Sequence, residues 1–285
     1  MGINALTVQW LARLARAGVL PKGGSWVELG PQDFVEDQVT LDVLHHALDP
    51  IVGSDNAEAW KIFADPSEAS ATKTVLLYQC LGAGAYATVD LYDIRADFHF
   101  DLNLPFDVPR QFDVLTNFGT SEHCFNIAES FHACHRLLRA GGIGLYILPA
   151  FGDINHGFYN IHPVIYPLLA DRNDYEIVEF SYVDDMGNRA RDIRAHPHVD
   201  FNFATLPVDV LNAMNDKDLF CRIVMNNYVA NCVKQQKSAA EISNVYDYCF
   251  VAMRKRRDAT FVFPREPAPD SASLEVAAMS GVGIS

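Results

Sequence analysis

The sequence predicts an α/β protein: a doubly wound, mainly parallel seven-stranded sheet with helices on both faces. Short apolar runs alternate with segments of helical periodicity. Those runs are continuous rather than alternating, the mark of strands buried on both faces. Polar residues and glycine gather where the runs end, and open α/β sheets bind their ligands outside the carboxyl ends of the strands.

Leu6, Trp10, Leu11, Leu14 and Val19 follow helical spacing, and Gly18, Pro21 and Gly23-Gly24 close that segment. "SWVELG" reads as the first strand. "TLDVLHHALDPIV" and "SEASATKTVLLYQCLGAG" are helical, the latter stopped by Gly82 and Gly84. "YATVDL", "DFHFDL" and "FDVLTNFG" supply strands two to four. Phe125 to Leu138 is helical, Gly141-Gly142 turns the chain, and "IGLYILP" is the fifth strand. A helix in "HPVIYPLLADR" leads to the sixth strand, "YEIVEFSYV". A helix in "VDVLNAMND" then leads to a last strand, "LFCRIVMNNYVA". Residues 184–206 form a polar insertion rich in Arg and His, longer than an ordinary connection and readable as a lid over a site. "RKRR" at 254–257 reads as a solvated helix end. The segment 259–285, mixing Pro, Ser, Gly and Ala without periodicity, is expected to be a disordered tail. The domain plan is a helical segment at 1–24, the main domain at 25–258 with its insertion, and the tail.

Nearly half of the 285 residues (49%) are apolar, enough to fill a large core. A formal net charge of −14 argues against broad contact with nucleic-acid phosphates, so small-molecule partners are favoured and nucleic acid is not expected. The six cysteines show no CxxC spacing and lie in apolar segments, which reads as buried reduced thiols. The N-terminus lacks the pattern of a secretory leader, and no apolar run reaches a membrane-spanning length, so a cytoplasmic protein is expected. The oligomeric state is left open.

The strand ends carry the chemistry. The first carries Glu28 within it and is followed by Gly30, Gln32 and Asp33, and Gly30 offers close approach to backbone. The G-x-G-x-x-G pattern of a dinucleotide fold is missing. The second ends at Asp90, a carboxylate able to accept from two adjacent ribose hydroxyls. The third ends at Asp101 and Asn103, placed to meet an exocyclic amine such as that of adenine. The fourth ends in "TNFGTSEH", where Asn117, Gly119, Glu122 and His123 crowd together.

Taken together, "SWVELGPQD", "LGAGAYATVDL", "FHFDLNLPF", "FDVLTNFGTSEH", "LLRAGGIGLYILP" and "NHGFYNIHPVIYPLL" resemble the class I S-adenosylmethionine-dependent methyltransferases over roughly residues 25 to 180. The resemblance implies that family's fold, S-adenosyl-L-methionine as cofactor, and methyl transfer to O or N of a small-molecule or glycan-type acceptor. It implies that Glu28, Gly30 and Gln32 flank the methionine portion, Asp90 holds the ribose, Asp101 and Leu102 border the adenine, and Asn117 lies beside the sulfonium. The chain departs from the family at the first loop. Of E-x-G-x-G-x-G only the first glycine is kept, and Pro31 brings no N–H. A catalytically silent binding or scaffold protein on the same fold is the alternative.

For the acceptor side, His123, Glu122 and His156 are the candidate bases. Tyr159 and Asn160 would orient the acceptor, Phe158 would exclude water, and Arg191 and Arg194 would suit a phosphate or carboxylate on it. No metal site is expected. Were residues 196–200 extended, His196, His198 and Asp200 would alternate onto one face, and metal-assisted hydrolysis is the third, weaker reading.

Overall fold

The structure, a computed structural model, describes residues 2–35, 37–107, 110–153, 156–203 and 246–265. Six strands form one sheet in the order β2-β1-β3-β4-β6-β5: β1 Gly24–Leu29, β2 Ala83–Val89, β3 Phe112–Phe118, β4 Leu138–Gly152, β5 Tyr175–Val183 and β6 Tyr246–Lys255. β2, β1, β3 and β4 are parallel, and β6 runs antiparallel between β4 and β5. The doubly wound, mainly parallel sheet expected from the sequence is therefore present, with six strands among the described residues.

Alternate residues along each strand feed two cores. Trp26, Val114, Ile143, Leu145, Ile147, Tyr248 and Phe250 face one. Val27, Leu29, Leu115, Tyr146, Leu148, Cys249 and Val251 face the other. The first core is covered by α1 Ala5–Arg16, α2 Leu41–Val52, α3 Ala57–Ala64, α4 Ser70–Cys80 and α7 Met186–Ala195. The second lies under α5 Ile127–Leu137 and α6 Ile165–Asn173. Side-chain caps start several helices: Asn4 Oδ1 accepts from Thr7 N, Thr40 Oγ1 from Val43 N, and Asn126 Oδ1 from Glu129 N. Trp10 of α1 packs edge-on against Phe250 and Phe118, and its indole N–H donates to Glu179 Oε1 at 2.6 Å. The N-terminal helix is thus part of the main core.

Five expectations change. "DFHFDL" contributes only a single bridge, Phe98 beside Val89, because the chain turns through Asp101 immediately after Phe100. α3 was not foreseen; it is an eight-residue segment capped by Asn56. The polar insertion contains α7, whose Met186, Ala190 and Ile193 recur at helical spacing and are buried. Gln9 of α1 ties down the segment beyond α7 by donating to Val199 O and accepting from Phe201 N. "RKRR" begins inside strand β6 rather than at a helix end. Lys255 is buried and donates to the carbonyls of His135 and Leu138, at the end of α5, and to Asp258. At the start of the expected tail, Ala259 O receives His135 Nε2, Phe261 stacks on His132, and Val262 N donates to Asn173 Oδ1. The expected helix "VDVLNAMND", the expected strand "LFCRIVMNNYVA", Cys221, Cys232 and residues 266–285 lie outside the described residues. Cys80, Cys124, Cys134 and Cys249 are free thiols, the last three buried. No helix among the described residues is long and apolar enough to cross a membrane.

Candidate functional site

β1 and β3 are neighbours, while the chain leaves β1 for β2 on one side and reaches β3 on the other. Their carboxyl ends therefore mark the topological switch point. There the chain leaves β1 through Gly30, at φ +70°, and leaves β3 through Gly119, at φ +74°. Thr120 Oγ1 donates to Leu29 O at 2.6 Å and ties the two exits together. A Cβ on Gly30 would lie 2.8 Å from Thr120 Oγ1 and 3.6 Å from Asp90 Oδ2, so only glycine keeps this corner open.

Asp90 follows β2. Its Oδ1 accepts from the backbone N–H of Tyr92 and Asp93, which fixes the carboxylate in a tight turn. Its Oδ2 has no hydrogen-bond partner among the described residues and faces the Gly30 corner. Asp101 is likewise held by its own turn, accepting from the N–H and amide of Asn103 at 2.8 Å. Leu102 beside it is buried in the α5 core. Cys124 sits among these acids: burial, then the charges of Asp101, Glu122 and Asp90, outweigh a Ser130 hydrogen bond and push its thiol up to about 11.

Three of the expected site residues make hydrogen bonds within the fold itself. Glu28 is fully buried, on the same strand face as Trp26, where it accepts from the hydroxyls of Tyr78 and Tyr86, from Thr116 Oγ1 at 3.3 Å and from Gln32 N at 3.0 Å. Burial raises its pKa despite those donors. It supports the first loop from beneath and does not line its open side. Gln32 turns back so that Nε2 donates to Gly30 O at 2.9 Å, leaving Oε1 buried without a donor among the described residues. Asn117, on the opposite parity, points toward α5 and donates to Ser121 Oγ at 2.6 Å; its side chain serves the inside of the fold. Strand parity carried that distinction in the sequence.

The three candidate bases do converge. Glu122 and His123 lie in the 3₁₀ turn Ser121–His123 after β3, and His156 comes from the loop after β4. His156 Nε2 is 3.8 Å from Glu122 Oε1, and the His123 and His156 rings meet edge-on with centroids 4.9 Å apart. Phe158 N donates to Glu122 O at 2.8 Å, which seats the His156 loop on the turn. Burial pushes the Glu122 carboxyl up to about 7 and, with His156 adjacent, lowers His123. Phe158 and Phe125, 65% and 73% exposed, pair edge-on at 5.9 Å as an apolar rim.

Tyr159 and Asn160 line an apolar cavity of about 320 Å³ with Ile127, Ile161, Val164 and Leu168; Glu122, His123 and His156 do not border it. Arg191 is exposed and bonds Asn188 Oδ1, and Arg194 is exposed with no ion pair among the described residues. His196 to Val199 form a turn, and Asp200 Oδ1 is 3.0 Å from His46 Nε2. His196, His198 and Asp200 therefore lack the extended geometry a shared metal face required.

No protein-family model and no curated protein matches the chain. Solved structures similar to it include coclaurine N-methyltransferase bound to N-methylheliamine and S-adenosylhomocysteine, at 11% identity and a TM-score of 0.42, over 86% of this chain and 70% of that one. Phosphoethanolamine N-methyltransferase 2 of Haemonchus contortus, in complex with S-adenosyl-L-methionine, gives 15% identity and a TM-score of 0.42, over 87% of this chain and 52% of that one. The cyclase SpnF gives 11% identity and a TM-score of 0.41, over 88% and 82%. At these values no residue's role passes from them to this chain.

Proposed function

We propose that the chain binds S-adenosyl-L-methionine at the switch point and transfers its methyl group to O or N of a small-molecule or glycan-type acceptor. The observation that carries this is Asp90: one carboxylate oxygen is locked by its turn and the other is unpartnered beside Gly30, the arrangement that accepts from a ribose diol. The remaining groups fit the same ligand. Gly30 leaves the corner clear, Asp101 and Leu102 offer a carboxylate and an apolar edge for the base, and the unpartnered Gln32 Oε1 is an acceptor suited to an ammonium group.

When bound, the cofactor supplies a methyl carbon activated by positive sulfur. The chain's own task is alignment and proton removal. Thr120 and the Gly30 turn fix the floor of the site. Glu122, His123 and His156 form its acceptor side, where the proton of the attacking hydroxyl or amine is taken. Phe125 and Phe158 cover the approach. Calorimetry with S-adenosyl-L-methionine and S-adenosylhomocysteine tests the reading: micromolar-range heats support it, and folded protein that binds neither overturns it.

One observation favours the silent alternative. Pro31 brings no N–H to the first loop, and Gln32 Nε2 occupies Gly30 O, so this loop offers fewer backbone groups than a multi-glycine one. Cofactor binding without product from any acceptor would support a binding protein. Product from a single acceptor would dispose of it.

A further inference from the structure

Glu122 poses a problem that the fold leaves unsolved. Its side chain is 0% exposed, and neither carboxylate oxygen has a hydrogen-bond partner among the described residues. A buried carboxyl with both oxygens idle is costly unless a cation or donor meets it. Against it stands a pair of imidazoles. One ligand atom from each of Glu122, His123 and His156 lies within 4.8 Å of the others.

We propose that Glu122, His123 and His156 bind a divalent first-row transition ion, such as Zn²⁺, through one carboxylate oxygen and two imidazole nitrogens. Nitrogen donors without thiolate suit ions of borderline softness and disfavour Mg²⁺ and Ca²⁺, which prefer all-oxygen sets. Bonds of about 2.0–2.2 Å require the ligand atoms to draw closer than they stand. Rotation of two exposed imidazoles against the buried carboxylate supplies that movement. Around them lies the support such a site needs. Asp153 Oδ2 is 4.0 Å from His156 Nδ1 and is itself held by the Tyr248 hydroxyl at 2.6 Å, so a carboxylate stands on the far side of the imidazole to orient it. Gly157 lets the His156 loop lie on Glu122, since a Cβ there would be 2.9 Å from Glu122 O.

Three protein ligands leave a coordination position open, as in catalytic rather than structural sites. A hydroxyl or amine of the acceptor bound there would lose its proton more readily; this consequence alone rests on the methyl-transfer reading.

The test uses the full chain, freed of metal with a chelator and titrated with Co²⁺ and with Zn²⁺, monitored by visible absorption for Co²⁺ and by calorimetry for both. One equivalent should bind, with d–d bands from nitrogen and oxygen ligation. His123→Ala and His156→Ala, both at exposed side chains, should each weaken binding at least about tenfold, and His198→Ala should leave it unchanged. Glu122→Gln should also weaken it; should that variant misfold, the two histidine variants decide. Absence of bands and heat, or equal binding by wild type and His156→Ala, would overturn the proposal. S-adenosylhomocysteine titrated into the metal-free protein separates this outcome from failure of the cofactor site.

Discussion

At the scale of single residues, the candidate site separates side chains that face the Gly30 corner from those that build it. Asp90 has one oxygen in each role. Asp90→Ala should weaken S-adenosylhomocysteine binding about 10- to 100-fold, the worth of a charged hydrogen-bonding partner, as read by calorimetry. Gly30→Ala places a Cβ at positive φ against Thr120 and should cost about 1–2 kcal/mol in denaturant unfolding, and weaken the same ligand. The strand-end positions of Asp90 and of the Glu122-His123 pair were legible in the sequence because each follows an apolar run, whereas Asp101 was placed by an expected strand of which only one bridge forms. The burial of Glu28 and Asn117 was not read because position along a strand was considered without the face: two residues apart from Trp26 and Leu115 respectively, they share the buried sides of those residues. The approach of His156 to Glu122 depends on the course of a loop, which no local pattern encodes.

Elements were readable where their own residues sufficed and obscure where a neighbour decided them. β1, β3 and β4 announce themselves as apolar runs, while α7 carries only Met186, Ala190 and Ile193 on a polar background and is held by packing on α1. β6 was hidden by its basic end. Lys255 there meets the last carbonyls of α5, where a cation complements the helix dipole. Lys255→Met should strand those acceptors and cost about 1–3 kcal/mol in urea unfolding. At the opposite edge of the sheet from the site, Asp113 of β3 accepts from Ser25 N and Oγ of β1, both at 2.7 Å, and pairs with Arg139. Burial raises its pKa, but these donors together hold it below the usual carboxylate range. Its contribution is therefore present above the unfolded-state value and lost as pH falls through the lower folded-state one. Asp113→Asn should be less stable than wild type by about 1 kcal/mol at pH 7, with the difference closing as the pH falls through that range.

For the whole molecule, two cores on one mixed sheet place four exits, after β1, β2, β3 and β4, along a single edge. That arrangement was legible because the order of apolar runs and helices specifies a doubly wound sheet, whereas the place of the antiparallel strand was not, since it depends on pairing between residues far apart in the chain. A ligand seated across that edge bridges segments from 30 to 123 and should stabilise the molecule as a unit. At a hundredfold excess over its Kd it should add about 2.7 kcal/mol, a rise in Tm of about 4–5 °C. The most direct test of the account is calorimetric titration of S-adenosylhomocysteine into wild type and Asp90→Asn, which keeps the Oδ1 turn and replaces only the second oxygen. The account predicts a 1:1 micromolar-range isotherm for wild type and a Kd at least about tenfold weaker for the variant; no heat from folded wild type, or equal affinity in both, would contradict it.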